Sequence, residues 1–150
     1  MSNDDFFAGV DAQLSKTAAA EATAKDTAAE NREFLLEVII RLAPIVASYK
    51  QQLEARNIKV EVRSYPTSIS FTMRYKDGGH FGLSISGSRQ NNRIEMSNSF
   101  TNDDGKNYTS TSGASYNKSN WNDSLFKDEL EKCIKDFLFY ADRHGGVATR

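Results

Sequence analysis

The sequence predicts an α+β fold, a two-layer sandwich in which a five-stranded antiparallel meander has one face covered by an N-terminal and a C-terminal helix, in the order α-β-β-β-β-β-α. Three observations predict it. Five short segments between Lys59 and Ser112 alternate apolar and polar side chains, the pattern of a sheet with one buried and one solvated face. Amphipathic helical stretches flank that region on both sides. The short Gly-ending turns between segments keep apolar residues opposite apolar residues, as a correct register demands.

Residues 1–30 are rich in Ala, Thr and short charged residues and lack proline, so helix propensity is high while little is available to bury. They are expected to form a helical or disordered extension. Phe6, Phe7, Val10 and Leu14 place one apolar stripe on it, the signature of a segment that docks into a groove on a partner or on a second copy of the chain.

Between Asn31 and Asn57, Leu35, Ile39, Leu42, Val46, Tyr49 and Leu53 follow a 4-3-4-3-4 spacing that marks one face of a helix. Leu36, Ile40, Ala43 and Ala47 form a second stripe on the wheel, so this helix has two faces to bury. One belongs on the sheet, and the other meets either the C-terminal helix or a second subunit. Pro44 falls on the polar side of the wheel, where it is expected to bend the helix without disturbing either stripe.

Strands are predicted over 58–65, 68–76, 80–87, 93–101 and 106–112. Asp77-Gly78-Gly79 and Asp103-Asp104-Gly105 read as three-residue hairpin turns with Gly in the left-handed position. On that reading Tyr75 faces Phe81, Met73 faces Leu83, Phe71 faces Ile85, and Phe100 faces Tyr108. A Ser/Asn-rich connector over 113–120 leads to a helix from Trp121 to Arg143, capped by Asn120 or Asn122 and stopped by Gly145 and Gly146. Residues 31–144 thus make a single domain, and 145–150 a flexible tail.

The composition excludes several classes of function. The net charge of −1 divides into −4 over residues 1–30, +1 over 31–57, +3 over 58–120 and −1 over 121–150, too little positive excess for a nucleic-acid-binding surface. The aromatic residues of the strands project to the helix side and leave Tyr65 on the open face, so a base-stacking platform for nucleic acid is not expected. The lone Cys133 excludes an internal disulfide and, with an acidic, polar start after Met1, fits a cytoplasmic protein. No stretch approaches the ~18 apolar residues of a membrane span.

Two His and one Cys make no His/Cys metal site, and Asn102-Asp103-Asp104-Gly105 lacks the acidic residue that would complete a calcium loop. Neither metal nor cofactor is expected. A triad of His80, Ser84 and Glu95 fails on distance, because four residues of strand separate His80 from Ser84 by roughly 13 Å. Cys133 falls on the apolar face of the last helix and is expected in the core. The leading expectation is therefore a non-catalytic interaction or assembly module. It would self-associate, as a dimer, or bind another protein, through Phe6, Phe7, Val10, Leu14, Leu36, Ile40, Ala43 and Ala47. The alternative is a protein that binds a small ligand or anion on the open sheet face through Arg74, Arg93, Glu95 and Ser84.

Overall fold

Two helices lie on one face of a five-stranded antiparallel meander, as the alternation pattern predicts, in a computed structural model that describes residues 3–149 apart from the side chain of Ser112. Helix α1 runs Asn3–Ala55; strands β1 (Val60–Tyr65), β2 (Ser68–Arg74), β3 (His80–Gly87), β4 (Ile94–Thr101) and β5 (Asn107–Tyr116) pair in sequence order; α2 runs Asp123–Phe139, and a 3-10 turn spans Ala141–His144. Met1, Ser2 and Arg150, which belong to the expected extension and tail, lie outside the described residues.

The core lies between the layers. From α1 it takes Leu35, Val38, Ile39, Leu42, Val46 and Leu53, and from α2 Phe126, Leu130, Cys133 and Phe137, both against Ile69, Phe71, Met73, Leu83 and Ile85 of the central strands. Each buried aliphatic or aromatic side chain contributes about 1.5–3 kcal/mol of transfer free energy, which fixes both helices to this face. Asn122 caps α2 by accepting a hydrogen bond from the Ser124 amide. Among the described residues no helix is long and apolar enough to cross a membrane.

Helix α1 crosses the sheet obliquely. At one end Asn31 Nδ2 donates to the Asn91 carbonyl at 2.9 Å and Asn92 Nδ2 to the Ala28 carbonyl at 3.3 Å, tying the helix to the β3–β4 turn. At the other end the helix packs on β1. Helix α2 lies along the flank that carries Arg41, Ile45 and Tyr49: Arg41 donates to both carboxylate oxygens of Asp123 at 2.9 and 3.1 Å, and the Tyr49 hydroxyl donates to Glu131 at 2.8 Å. The second stripe lies on the opposite flank, Leu36 being about 180° from Ile45 on the helical wheel. Leu36 and Ala43 are half-buried, while Ala47 is exposed and Ile40 is 73% exposed. The C-terminal helix therefore does not cover that stripe.

Several expectations need correction. The β2–β3 register is displaced by two residues: Met73 pairs with Phe81, Phe71 with Leu83 and Ile69 with Ile85, while Tyr75 N–H donates to the Gly79 carbonyl at 2.8 Å. The turn is Lys76-Asp77-Gly78, with Gly78 at φ 92° in the left-handed position and the Asp77 carboxylate accepting the Gly79 amide at 2.8 Å. Because the displacement is even, every side chain keeps its predicted face. The second turn is as expected, with Gly105 at φ 79° and Phe100 opposite Tyr108. Strand β5 runs on to Tyr116 past a bulge near Met96, so the first half of the expected connector is strand. Helix α2 ends at Phe139, four residues early, and the chain tightens into the 3-10 turn. The two N-terminal helical segments are one uninterrupted helix, with Pro44 exposed within it.

Residues 145–149, read from the sequence as tail, lie beside the end of β2. Lys76 N–H donates to the Gly146 carbonyl at 2.9 Å, Ala148 N–H to Arg74 at 2.9 Å, and Lys59 N–H to Ala148 at 3.1 Å.

At Gly82, in the central strand, an added Cβ would meet the Phe71 carbonyl oxygen at 2.9 Å. Backbone of a paired strand cannot yield as a side-chain tip can, so Gly82→Ala is expected to destabilise the fold by about 1–3 kcal/mol, read as a lower urea midpoint with unchanged slope.

Candidate functional site

The face of the sheet turned away from the helices carries a polar basin of about 320 Å³. Its walls come from three strands and a turn, because residues two apart on a strand share a face. Glu61 and Arg63 come from β1, Ser70, Thr72 and Arg74 from β2, and His80 from β3, with Ser99, Asn107 and Gly78 closing the rim. Gly82 lies between Thr72 and Ser99, which are its direct neighbours on the adjacent strands, and presents no side chain to this face.

Two hydrogen-bonded groups hold the walls. Arg74 donates through Nε and a terminal nitrogen to the two oxygens of Glu61, at 3.1 and 3.2 Å, a fork-to-fork contact that fixes both planes. The Arg74 guanidinium holds the Glu61 carboxyl below the usual carboxylate range. His80 is held at both ring nitrogens, Nε2 lying 3.1 Å from Ser99 Oγ and Nδ1 3.1 Å from Thr101 Oγ1. Thr101 spends its one proton on Asn107 Oδ1 at 2.7 Å. Nδ1 therefore carries the ring proton and donates to Thr101, and Nε2 accepts from Ser99. Burial, with Arg74 as the second cause, lowers the His80 pKa below its ordinary value of 6.5, so the ring is neutral at neutral pH.

Ser99 and His80 thus make a hydroxyl-to-imidazole contact, but its surroundings oppose proton abstraction. The orienting third group is a hydroxyl where a carboxylate would stabilise imidazolium, and the nearby charge is the Arg74 cation. The arrangement is a rigid polar wall.

The four residues expected to bind a ligand do not converge. Arg74 stands in the basin, opposite His80. Ser84 lies mid-sheet, between Ser70 and Ser97, and Glu95 pairs with Ser86 and Ser115. Arg93 is near the other end, donating to the Ser115 hydroxyl and carbonyl at 2.8 Å each. Six residues of β3 separate His80 from Ser86, about 20 Å at the usual rise. Gly82 opposes Thr72. Glu61, Arg63, Ser99 and Asn107 complete the basin in their place. Polar alternation marked Glu61, Arg63 and Ser99 as open-face residues, but only the three-dimensional register shows that they surround one depression.

The other expected site is the free half of α1. Residues 3–27 are exposed without exception, Phe6 at 64% and Leu14 at 62%, and Phe7 and Val10 share their side. Phe6 and Phe7 meet edge to face at 5.2 Å, and the Thr23 and Thr27 hydroxyls donate to carbonyls one turn back at 3.0 Å. Val10, Ala28 and the core residue Val46 recur every 18 residues, about five turns, so the arm's stripe lies on the same side of the helix as its sheet-facing stripe. Cys133 is buried as expected, and burial pushes its thiol up to about 12. Among the described residues no group of three His, Cys, Asp or Glu side chains is placed to hold a metal ion.

Two measurements check this account. Because the folded pKa of His80 is depressed, the unfolded chain binds the extra proton first. Stability is then whole above the ordinary value of 6.5 and declines as pH falls through that value toward the folded pKa. Thermal midpoints taken between about pH 7 and about pH 5 should fall in the wild type, and His80→Gln should remove that part of the decline. Cys133 should resist a thiol reagent at about pH 8 in the native protein and react on unfolding in urea, since the thiolate is the reactive species.

No family model, curated protein or solved structure matches this chain, and a functional reading rests on its own residues.

Proposed function

We propose that this protein is a non-catalytic assembly module that self-associates through the free half of α1. The observation that supports this reading is the exposed arm: about 37 Å of helix at 1.5 Å per residue, bearing Phe6, Phe7, Val10 and Leu14 exposed on one side and burying none of them in the domain. An apolar stripe of this kind is what a helix buries against another helix. The arm is also graded in size. Bulky residues occupy its first half and Thr17, Ala24 and Ala28 continue the stripe in its second half. Two copies packed antiparallel set large against small, the condition for interdigitation. The exposed flank at Ile40 and Ala47 adds surface beside it for a second contact.

Light scattering over a concentration series tests the proposal. The wild type should show a mass above that of one chain, and Val10→Asp with Leu14→Asp should return it to one chain while the sheet signal in circular dichroism stays unchanged. Both residues lie outside the folded core, so loss of assembly without loss of fold is the expected result. A wild type of one-chain mass throughout the series, or a variant that assembles undiminished, rules the reading out.

A further inference from the structure

The polar basin on the open face carries its own inference, independent of self-association through the arm. Its hydrogen-bonding groups are unbalanced. Arg63 makes no hydrogen bond or salt bridge among the described residues, although its charge acts on Glu61; the Ser70 and Thr72 hydroxyls make no side-chain hydrogen bond, and one Arg74 terminal nitrogen and the Asn107 amide nitrogen remain unused. Against these donors stand the lone pairs left on Glu61. Charge points the same way: two guanidinium groups face one carboxylate, and His80 is neutral, leaving one net positive charge in the depression.

We propose that this basin binds a small hydroxylated anion of the sugar-acid type, its acidic group on the outer side of Arg63, away from Glu61, and its hydroxyls on Thr72, Glu61 and the unused nitrogens of Arg74 and Asn107. The anion follows from the donor excess and from Arg63, whose guanidinium donors make no hydrogen bond among the described residues. Hydroxyl groups follow from a lining that is polar or glycine throughout, where an apolar ligand would leave donors unsatisfied. Small size follows from the volume, about 320 Å³, at the lower end of ligand sites. No Phe, Tyr or Trp side chain lines the basin, so it lacks the broad aromatic platform on which single-stranded bases stack. The Glu61–Arg74 fork and the His80 contacts hold the walls before a ligand arrives, which reduces the ordering cost of binding.

The test is a titration of isotope-labelled full-length protein followed by amide NMR shifts, with glucuronate, glucose 6-phosphate, glucose and acetate as probes. Saturable shifts at Thr72, Gly82 and Ser99 with glucuronate or glucose 6-phosphate are expected, the pair distinguishing a carboxylate from a phosphate as the acidic group. Glucose and acetate each lack half of the recognised chemistry and should bind at least about tenfold more weakly, as should both anionic sugars to Arg63→Ala. Arg63 is exposed and makes no hydrogen bond or salt bridge among the described residues, so this variant should fold as the wild type does. Thr72→Val keeps shape and removes a hydroxyl, and should weaken binding without moving the wild-type amide pattern elsewhere. The proposal is overturned by the absence of saturable basin shifts up to about 10 mM of either sugar anion. Equal response to glucose or to acetate overturns it as well, as does full binding by Arg63→Ala.

Discussion

Burial of Tyr75 is the constraint on which the closed end of the molecule depends. Its ring lies between Phe137 and His144, with centroids 4.6 and 4.4 Å away and near-parallel planes, and is 2% exposed. A hydroxyl so deep must find an acceptor, and it donates to the Phe137 carbonyl at 2.8 Å, near the end of α2. Its backbone pairs with Gly79 on one side and bridges to Val147 on the other. One residue thereby fixes the β2–β3 turn, the end of α2, the 3-10 turn and the C-terminal segment relative to one another. His144, 3% exposed, completes the stack, and its Nδ1 lies 2.7 Å from Asp77 in the turn.

That arrangement explains what was and was not legible in the sequence. Face assignment depends on alternation, which is local, and the residues it puts on the helix side, Phe71, Met73, Tyr75, Phe81, Leu83 and Ile85, are all buried in the core. Register depends on which of two adjacent glycines takes the left-handed position. Asp77 decides it, accepting from Gly79 and from His144 sixty-seven residues away, and that second contact has no local trace. The same distinction governs the candidate site. Arg74 and Arg93 were both correctly placed on the open face, yet they stand toward opposite ends of the sheet because neighbourhood across strands is a property of register. The end of α2 was set too late because the apolar face runs on through Leu138 and Ala141, while the turn into the 3-10 segment answers to Tyr75 and His144.

The uninterrupted α1 is a consequence of cooperativity. A detached segment like residues 3–27 would be marginal as a helix, since the first turn fixes several residues for one hydrogen bond. Here that cost is met by residues 31–55, which are helical because their apolar face is packed on the sheet. Each further residue toward the N-terminus adds a hydrogen bond to a helix already begun, and an Ala-rich run propagates well. The arm is thus helical through its attachment to the domain while none of its side chains is buried by it. Near its root it is held to the sheet at Ala28, whose carbonyl accepts from Asn92.

Separation of the two surfaces follows from the layering. A sheet buries one face against its helices, and every side chain of the open face is then two residues from another on the same side, free to combine across strands without disturbing the core. The Glu61–Arg74 pair and the His80–Ser99–Thr101 group are built on that freedom, with side chains that contribute little to the interior. Helix α1 obeys a different period, and its free half extends beyond the sheet altogether. A partner on the arm and a ligand in the basin would touch no side chain in common, so mutual influence between them has to pass through the packed core. At the root of the arm, Leu35 packs beneath Gly87 on β3, where an added Cβ would come within 2.9 Å of the Leu35 side chain. A close-packed junction of this kind transmits displacement with little slack, and it joins the root of the arm to the same strand that carries His80.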